Sequence, residues 1–305
     1  MDDAEAEVPA PRRRVWLAAL LALFFGSVAQ VYCGRFQRAV GLYALTWFVA
    51  ILANIALLCL PLGWLGIIAG CAALAGVYLF VLIDAIRLAR NDSQAPLRRY
   101  QRWWVYLLVI IASGTISELV LRLNRQYWSE SFLLRGGSMR NSLLAGDRFL
   151  VDKLPFYSRA PQRGEIVVYR SPGEGNAIFC HRVIGLPGDE VEVRDEQLLI
   201  NGQPTTEEYV LYEGERPEYD VLNNFSARTV PAGHVFILGD NRRNAKDSRI
   251  DGFVPIDDVI GVPRMIFWSR EHSLSPPSNP WESREPVETL GPIRWARIGQ
   301  RLDAN

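Results

Sequence analysis

The chain is poor in four things: net charge, cysteine, histidine and lysine. Its 305 residues carry 33 basic against 33 acidic side chains. That balance removes any global electrostatic case for binding nucleic acid. Four Cys are too few for a disulfide scaffold. Cys33, Cys59 and Cys71 lie in or beside apolar stretches and Cys180 stands alone in the second half, so four free thiols are expected. Three scattered His and one Cys in the second half offer no ligand cluster, so neither a metal nor a cofactor is expected. Lysine is the rarest cation, because only Lys153 and Lys246 stand among the 33 basic residues. Internal repeats and low-complexity tracts are absent.

What is present is hydrophobicity, at 49% of residues, which excludes a disordered chain. The length is room for about two domains. Up to residue 102 there are 10 Arg and 6 acidic residues, so a basic first part is balanced by an acidic remainder.

From Ala39 to Ile83 no residue is charged. The run far exceeds the roughly 20 residues that cross a bilayer once. It is broken at Leu60-Pro61-Leu62-Gly63, a turn signal. The pattern predicts transmembrane helices over 39–60 and 63–86 and a third over 103–122, with Trp103, Trp104 and Tyr106 at one edge as interfacial aromatics. The basic loop 91–102 and Arg87 and Arg90 before it mark the cytoplasmic side by the positive-inside rule. The 39–86 hairpin then starts and ends inside, residues 1–14 form a cytoplasmic tail, and residues 123–305 lie outside. Residues 15–34 complete a hydrophobic module over 15–90. They are apolar with basic flanks, which leaves a span, a tilted or re-entrant helix, or a cleavable leader. The bulky Gln30-Val31-Tyr32-Cys33 disfavours the leader.

The second half reads as β. Runs at Arg148–Asp152, Glu165–Arg170, Ile178–Ile184, Glu190–Val193 and His234–Leu238 are β-branched or aromatic, and Gly, Pro and Asp turns separate them. The expected fold is N-terminal transmembrane helices followed by a mostly antiparallel all-β domain, a barrel or sandwich. The proline-rich tail 273–305 is expected to wrap the surface irregularly.

Four segments carry chemistry. RGGSMRNSLLAGD over 135–147 holds Ser138 among glycines, where a hydroxyl can be exposed and a backbone N–H can face an oxyanion. FCHRVIGLPGD over 179–189 places His181 on a strand entering a turn; LGDNRRNAKDSR over 238–249 is dense in polar groups; MIFWS over 265–269 is an apolar strand. With RGEIVVYRSP over 163–172 among them, these blocks in this order resemble bacterial type I signal peptidases across about residues 130–270. The resemblance implies a membrane-anchored serine endopeptidase that removes signal peptides from exported preproteins. It also implies a site in the bacterial cytoplasmic (inner) membrane, multi-pass with the catalytic domain extracytoplasmic. Preprotein signal peptides and the lipid bilayer are the implied partners, and a secretion translocon is a candidate. The short stretch from Leu121 to Ser138 is expected to keep the site near the membrane surface.

The family's nucleophile position falls on Ser138. Its general base is a Lys immediately before R-V-I-G-L-P-G-D, and here that position is His181. A Lys base must be made neutral by burial, whereas a His, with its ordinary pKa of about 6.5, serves near neutrality unaided. The family's supporting Ser aligns with Ala245, absent together with the Lys. A His base commonly needs an orienting group, and Asp247 or Asp240 is the expectation. Gly136, Gly137 and Met139 are the expected oxyanion and substrate-binding positions. With Gly136 where some members carry a Ser, the hole rests on the Ser138 N–H. Asp147, Asn241 and Arg249 are expected as structural neighbours. Two rivals remain: an inactive member that binds signal peptides, and a dedicated processing peptidase for one secretion or pilus substrate class.

Overall fold

The computed structural model describes residues 13–91, 100–173, 175, 177–213, 222–275 and 287–302. The chain forms two compact units, one of residues 1–60 and 65–122, the other of 61–64 and 123–305.

The first unit is helical. α1 (Val15–Phe25) and α2 (Val28–Tyr32) are followed by α3 (Phe36–Cys59), α4 (Gly63–Asn91) and α5 (Trp103–Tyr127). The last three are long and apolar enough to cross a membrane. Residues 15–34 are not one helix. Gly26, at φ +55, ends α1 after 11 residues, about 16 Å at the α-helical rise and half a bilayer core. α2 then runs back along α1. Ala22 packs with Ala29 and Ala85, and Ala18 packs with Cys33 and Ala89, so the two arms lie antiparallel against the last turns of α4. Small side chains let these helices approach closely. Arg38 and Asp84 flank the uncharged stretch, and they meet: Arg38 donates to Asp84 at 3.0 and 2.5 Å. Gln30 on α2 adds a third hydrogen bond to Asp84 at 3.3 Å. A buried carboxylate is tolerated there because it is paired.

The second unit is antiparallel β. One sheet has the order β1 (Ser129–Leu133), β2 (Asp147–Asp152), β11 (Val259–Ser275), β3 (Ile166–Arg170), β4 (Ile178–Gly185), β9 (His234–Leu238), β10 (Val254–Pro255), and β12 (Val287–Ile293) pairs with β11. A second sheet runs β7 (Gln203–Pro204), β6 (Gln197–Ile200), β5 (Glu190–Arg194), β8 (Phe225–Thr229). β3 is apolar on both faces because each face meets a core. Ile166 and Val168 pack with Met139, Leu143 and Phe149; Val167 and Tyr169 pack with Val183, Val235 and Ile237.

The tail departs from the expected irregular wrap. Residues 276–286 fall outside the described residues, but Val287–Ile293 forms β12, because the 17-residue β11 runs past β2 and offers a free edge. Arg294 and Arg297 then anchor the chain on Asp147 and Ser269.

Candidate active site

Ser138 sits in the turn after β1, and its position is fixed from behind. Asn241 donates its N–H to the Ser138 carbonyl at 2.9 Å, and Met139 next to it is fully buried in the core. Asn141, at φ +105, turns the chain after Ser138, a conformation that asparagine tolerates better than most residues. Among the described residues none accepts from the Ser138 N–H.

His181 reaches Ser138 from β4. Its Nε2 lies 3.1 Å from the Ser138 Oγ, within proton-transfer reach. The imidazole is fully buried. Burial pushes its pKa below the ordinary histidine value, opposed by the charges of Asp247 and Asp240. It is therefore neutral near pH 7, the state a base needs. Its other nitrogen, Nδ1, lies 2.9 Å from the hydroxyl of Tyr169. Val167 faces His181 across the β3–β4 pair and Tyr169 faces Phe179, so the Tyr169 ring is the diagonal neighbour on the same face.

The orienting role expected of Asp247 or Asp240 is not what the geometry shows, for neither bonds the imidazole. Asp240 is taken by Arg182, at 2.9 and 2.8 Å, and by the Ser142 hydroxyl at 2.5 Å. Asp247 is taken by Arg249, at 2.9 and 2.7 Å, and by the Gly239 N–H. Each carboxylate is held by a nearby guanidinium, because a buried charge must be paired and a planar fork satisfies both oxygens. Asp247 still acts on His181 through its field. Asp147 is fully buried between Ser269, Arg294 and Arg297, and Asn241 also reaches the Gly137 carbonyl at 3.4 Å.

Ser138 and His181 open onto a cleft of about 520 Å³ walled by Phe132, Leu134, Val168 and Ile178. Gly136, Gly137, Asn244 and Lys246 also line it. Lys246 is 3.6 Å from Asp251, and Lys153 pairs with Glu130 at 2.8 Å. Gly239 backs the site, where a Cβ would stand 2.7 Å from the Ser138 carbonyl oxygen and 3.5 Å from the His181 ring.

The family model described as "Signal peptidase, peptidase S26" matches residues 101–268, more than half of the chain. The chain belongs to the signal peptidase family. It is therefore a serine endopeptidase of the S26 class. Among relatives of this peptidase, the probable signal peptidase I-1 of Synechocystis sp. is 35% identical over 165 residues, 52% of this chain and 81% of the relative. Signal peptidase I of Leptolyngbya laminosa is 36% identical over 163 residues, 50% of this chain and 76% of that protein. A crystal structure of a signal peptidase I from Enterococcus faecalis is 35% identical, covering 34% of this chain and 97% of that one at a TM-score of 0.29.

Sequence reasoning on this peptidase missed Tyr169, Arg182 and Gly239. Tyr169 stood inside a recognised block, but only the β3–β4 register sets it beside His181.

Proposed function

We propose that Ser138 and His181 form the catalytic dyad with which this signal peptidase cuts exported preproteins. The observation that carries the reading is the 3.1 Å approach of Nε2 to Oγ at a buried imidazole held below its ordinary pKa. Oγ attacks the scissile carbonyl as Nε2 takes its proton. The negative oxygen of the tetrahedral intermediate faces the Ser138 N–H. Nε2 then returns the proton to the leaving amine, and water releases the acyl group by the same route. The apolar cleft suits small side chains on an extended substrate strand.

The helical unit anchors the enzyme in a bacterial cytoplasmic membrane. By the positive-inside rule, Arg87, Arg90, Arg98, Arg99 and Arg102 favour a cytoplasmic side for the segment that joins α4 to α5. The α1–α2 hairpin dips in from that side and returns, since its open end packs against the cytoplasmic end of α4. α5 then delivers the β unit to the outer face, within reach of a secretion translocon.

The test is cleavage of a purified preprotein by the full chain in detergent. Ser138→Ala and His181→Ala should each lower kcat by at least about a hundredfold, the usual worth of such groups. A Ser138→Ala enzyme that cuts as fast as the unaltered one removes the assignment.

A further inference from the structure

A base that receives the Ser138 proton on Nε2 must keep its own proton on Nδ1. A histidine side chain left to itself in water favours the opposite tautomer. Something must therefore hold Nδ1–H, and in this fold both nearby carboxylates are engaged by arginines. The group at Nδ1 is the Tyr169 hydroxyl, 2.9 Å away, on a ring only 2% exposed against an imidazole that is 0% exposed.

We propose that Tyr169 is the positioning residue of this active site: its phenolic oxygen accepts the Nδ1–H of His181 and so fixes the tautomer in which Nε2 is free to serve Ser138. The proposal rests on the dyad reading above and deepens it.

A phenol can also donate, and donation to Nδ1 would give the idle tautomer. The surrounding charges decide between the two. Asp247 and Asp251, from the segment that follows β9, bear most on the phenol after burial, with Cys180 behind them. Those negative charges favour a hydroxyl hydrogen turned toward them, the orientation that leaves an oxygen lone pair for Nδ1–H. Burial keeps the phenol protonated, so the acceptor is a neutral oxygen rather than a phenolate. When His181 takes the serine proton, the imidazolium meets the same oxygen. It also meets the fields of Asp247, Asp240 and Asp251, with Arg249 opposing. The carboxylates thus act on His181 at one remove, and the tyrosine makes the contact.

Strand register supplies the arrangement. Val167 lies opposite His181 and Tyr169 opposite Phe179, so no other β3 side chain on that face lies on the Tyr169 diagonal. The His181 and Tyr169 rings sit with centroids 5.9 Å apart, and Phe179 stacks on His181 at 6.1 Å. Tyr169→Phe removes the hydroxyl and keeps this packing.

The experiment uses the full chain in detergent, with preprotein cleavage and ¹⁵N-imidazole NMR as readouts. Three His in the chain keep the spectrum assignable. Wild type should show His181 protonated on Nδ1. Tyr169→Phe should shift the ring toward Nε2–H, lower kcat about tenfold to a hundredfold and leave KM unchanged, matching the loss of a hydrogen bond to a charged group. Full wild-type kcat in a Tyr169→Phe enzyme whose ring stays Nδ1–H would overturn the proposal. So would a wild-type ring protonated on Nε2, a measurement that needs no variant to fold. A His181→Ala enzyme at full rate would overturn the dyad itself, an outcome distinct from both.

Discussion

Gly239→Ala tests whether the nucleophile is positioned from behind. An added Cβ would stand 2.4 Å from the Ala245 Cβ, 2.7 Å from the Ser138 carbonyl oxygen and 3.5 Å from the His181 Cδ2. Ordinary contact begins near 3.4 Å, so the Ser138 carbonyl must retreat by about 0.7 Å. That carbonyl accepts the Asn241 N–H at 2.9 Å, and moving it strains the turn that carries Oγ. The Oγ to Nε2 distance is already 3.1 Å, near the outer edge of proton-transfer reach. A misplacement of about 1 Å can cost a hundredfold, so the expected loss in kcat is a few tens-fold. Overpacking of this kind costs about 1–3 kcal/mol of stability. The assay pairs preprotein cleavage kinetics with thermal unfolding of the full chain in the same detergent. Gly41→Ala is the control, because its Cβ would meet nothing within 4 Å. A Gly239→Ala enzyme with unaltered kcat and melting would show that the close approach does not position Ser138.

Three further predictions follow from the charges. Burial holds the His181 pKa below its ordinary value, so the acid limb of kcat/KM should lie below the usual histidine midpoint of about 6.5; a midpoint above 6.5 contradicts the burial argument. The same group sets a stability slope. As pH falls through 6.5 the unfolded chain takes the proton first, so the fold weakens from there down to the folded pKa, and urea titration across that range reads the slope. Arg182→Met strands the Asp240 carboxylate, of which 1% is exposed, and should cost about 3–5 kcal/mol in urea unfolding; a cost below about 1 kcal/mol rules against a paired buried charge.

The sequence showed the long uncharged stretch, the β runs and the Ser138–His181 pairing because each rests on local pattern or on ordered blocks. It did not show Tyr169. A residue 12 positions from His181 becomes its partner only through the β3–β4 register, which no spacing encodes. Neither Asp247 nor Asp240 hydrogen-bonds the imidazole, for a related reason. Both carboxylates are near the ring, but Arg182 and Arg249 compete for them with more donors and a full charge. The tail strand β12 was hidden because its pairing depends on how far β11 extends beyond β2. For 15–34 a span, a tilted or re-entrant helix and a leader were the alternatives, and the break into two short helices at Gly26, at positive φ, was not among them.

That hairpin has a consequence for how the enzyme is oriented. Which side of a membrane a domain occupies depends on whether the number of crossings before it is odd or even. A segment that enters and leaves by the same face contributes nothing to that count. On the topology proposed above, removing residues 1–34 should leave the protease on its own side and deleting α3 or α4 alone should reverse it, which protease protection of the β unit in membrane vesicles would read.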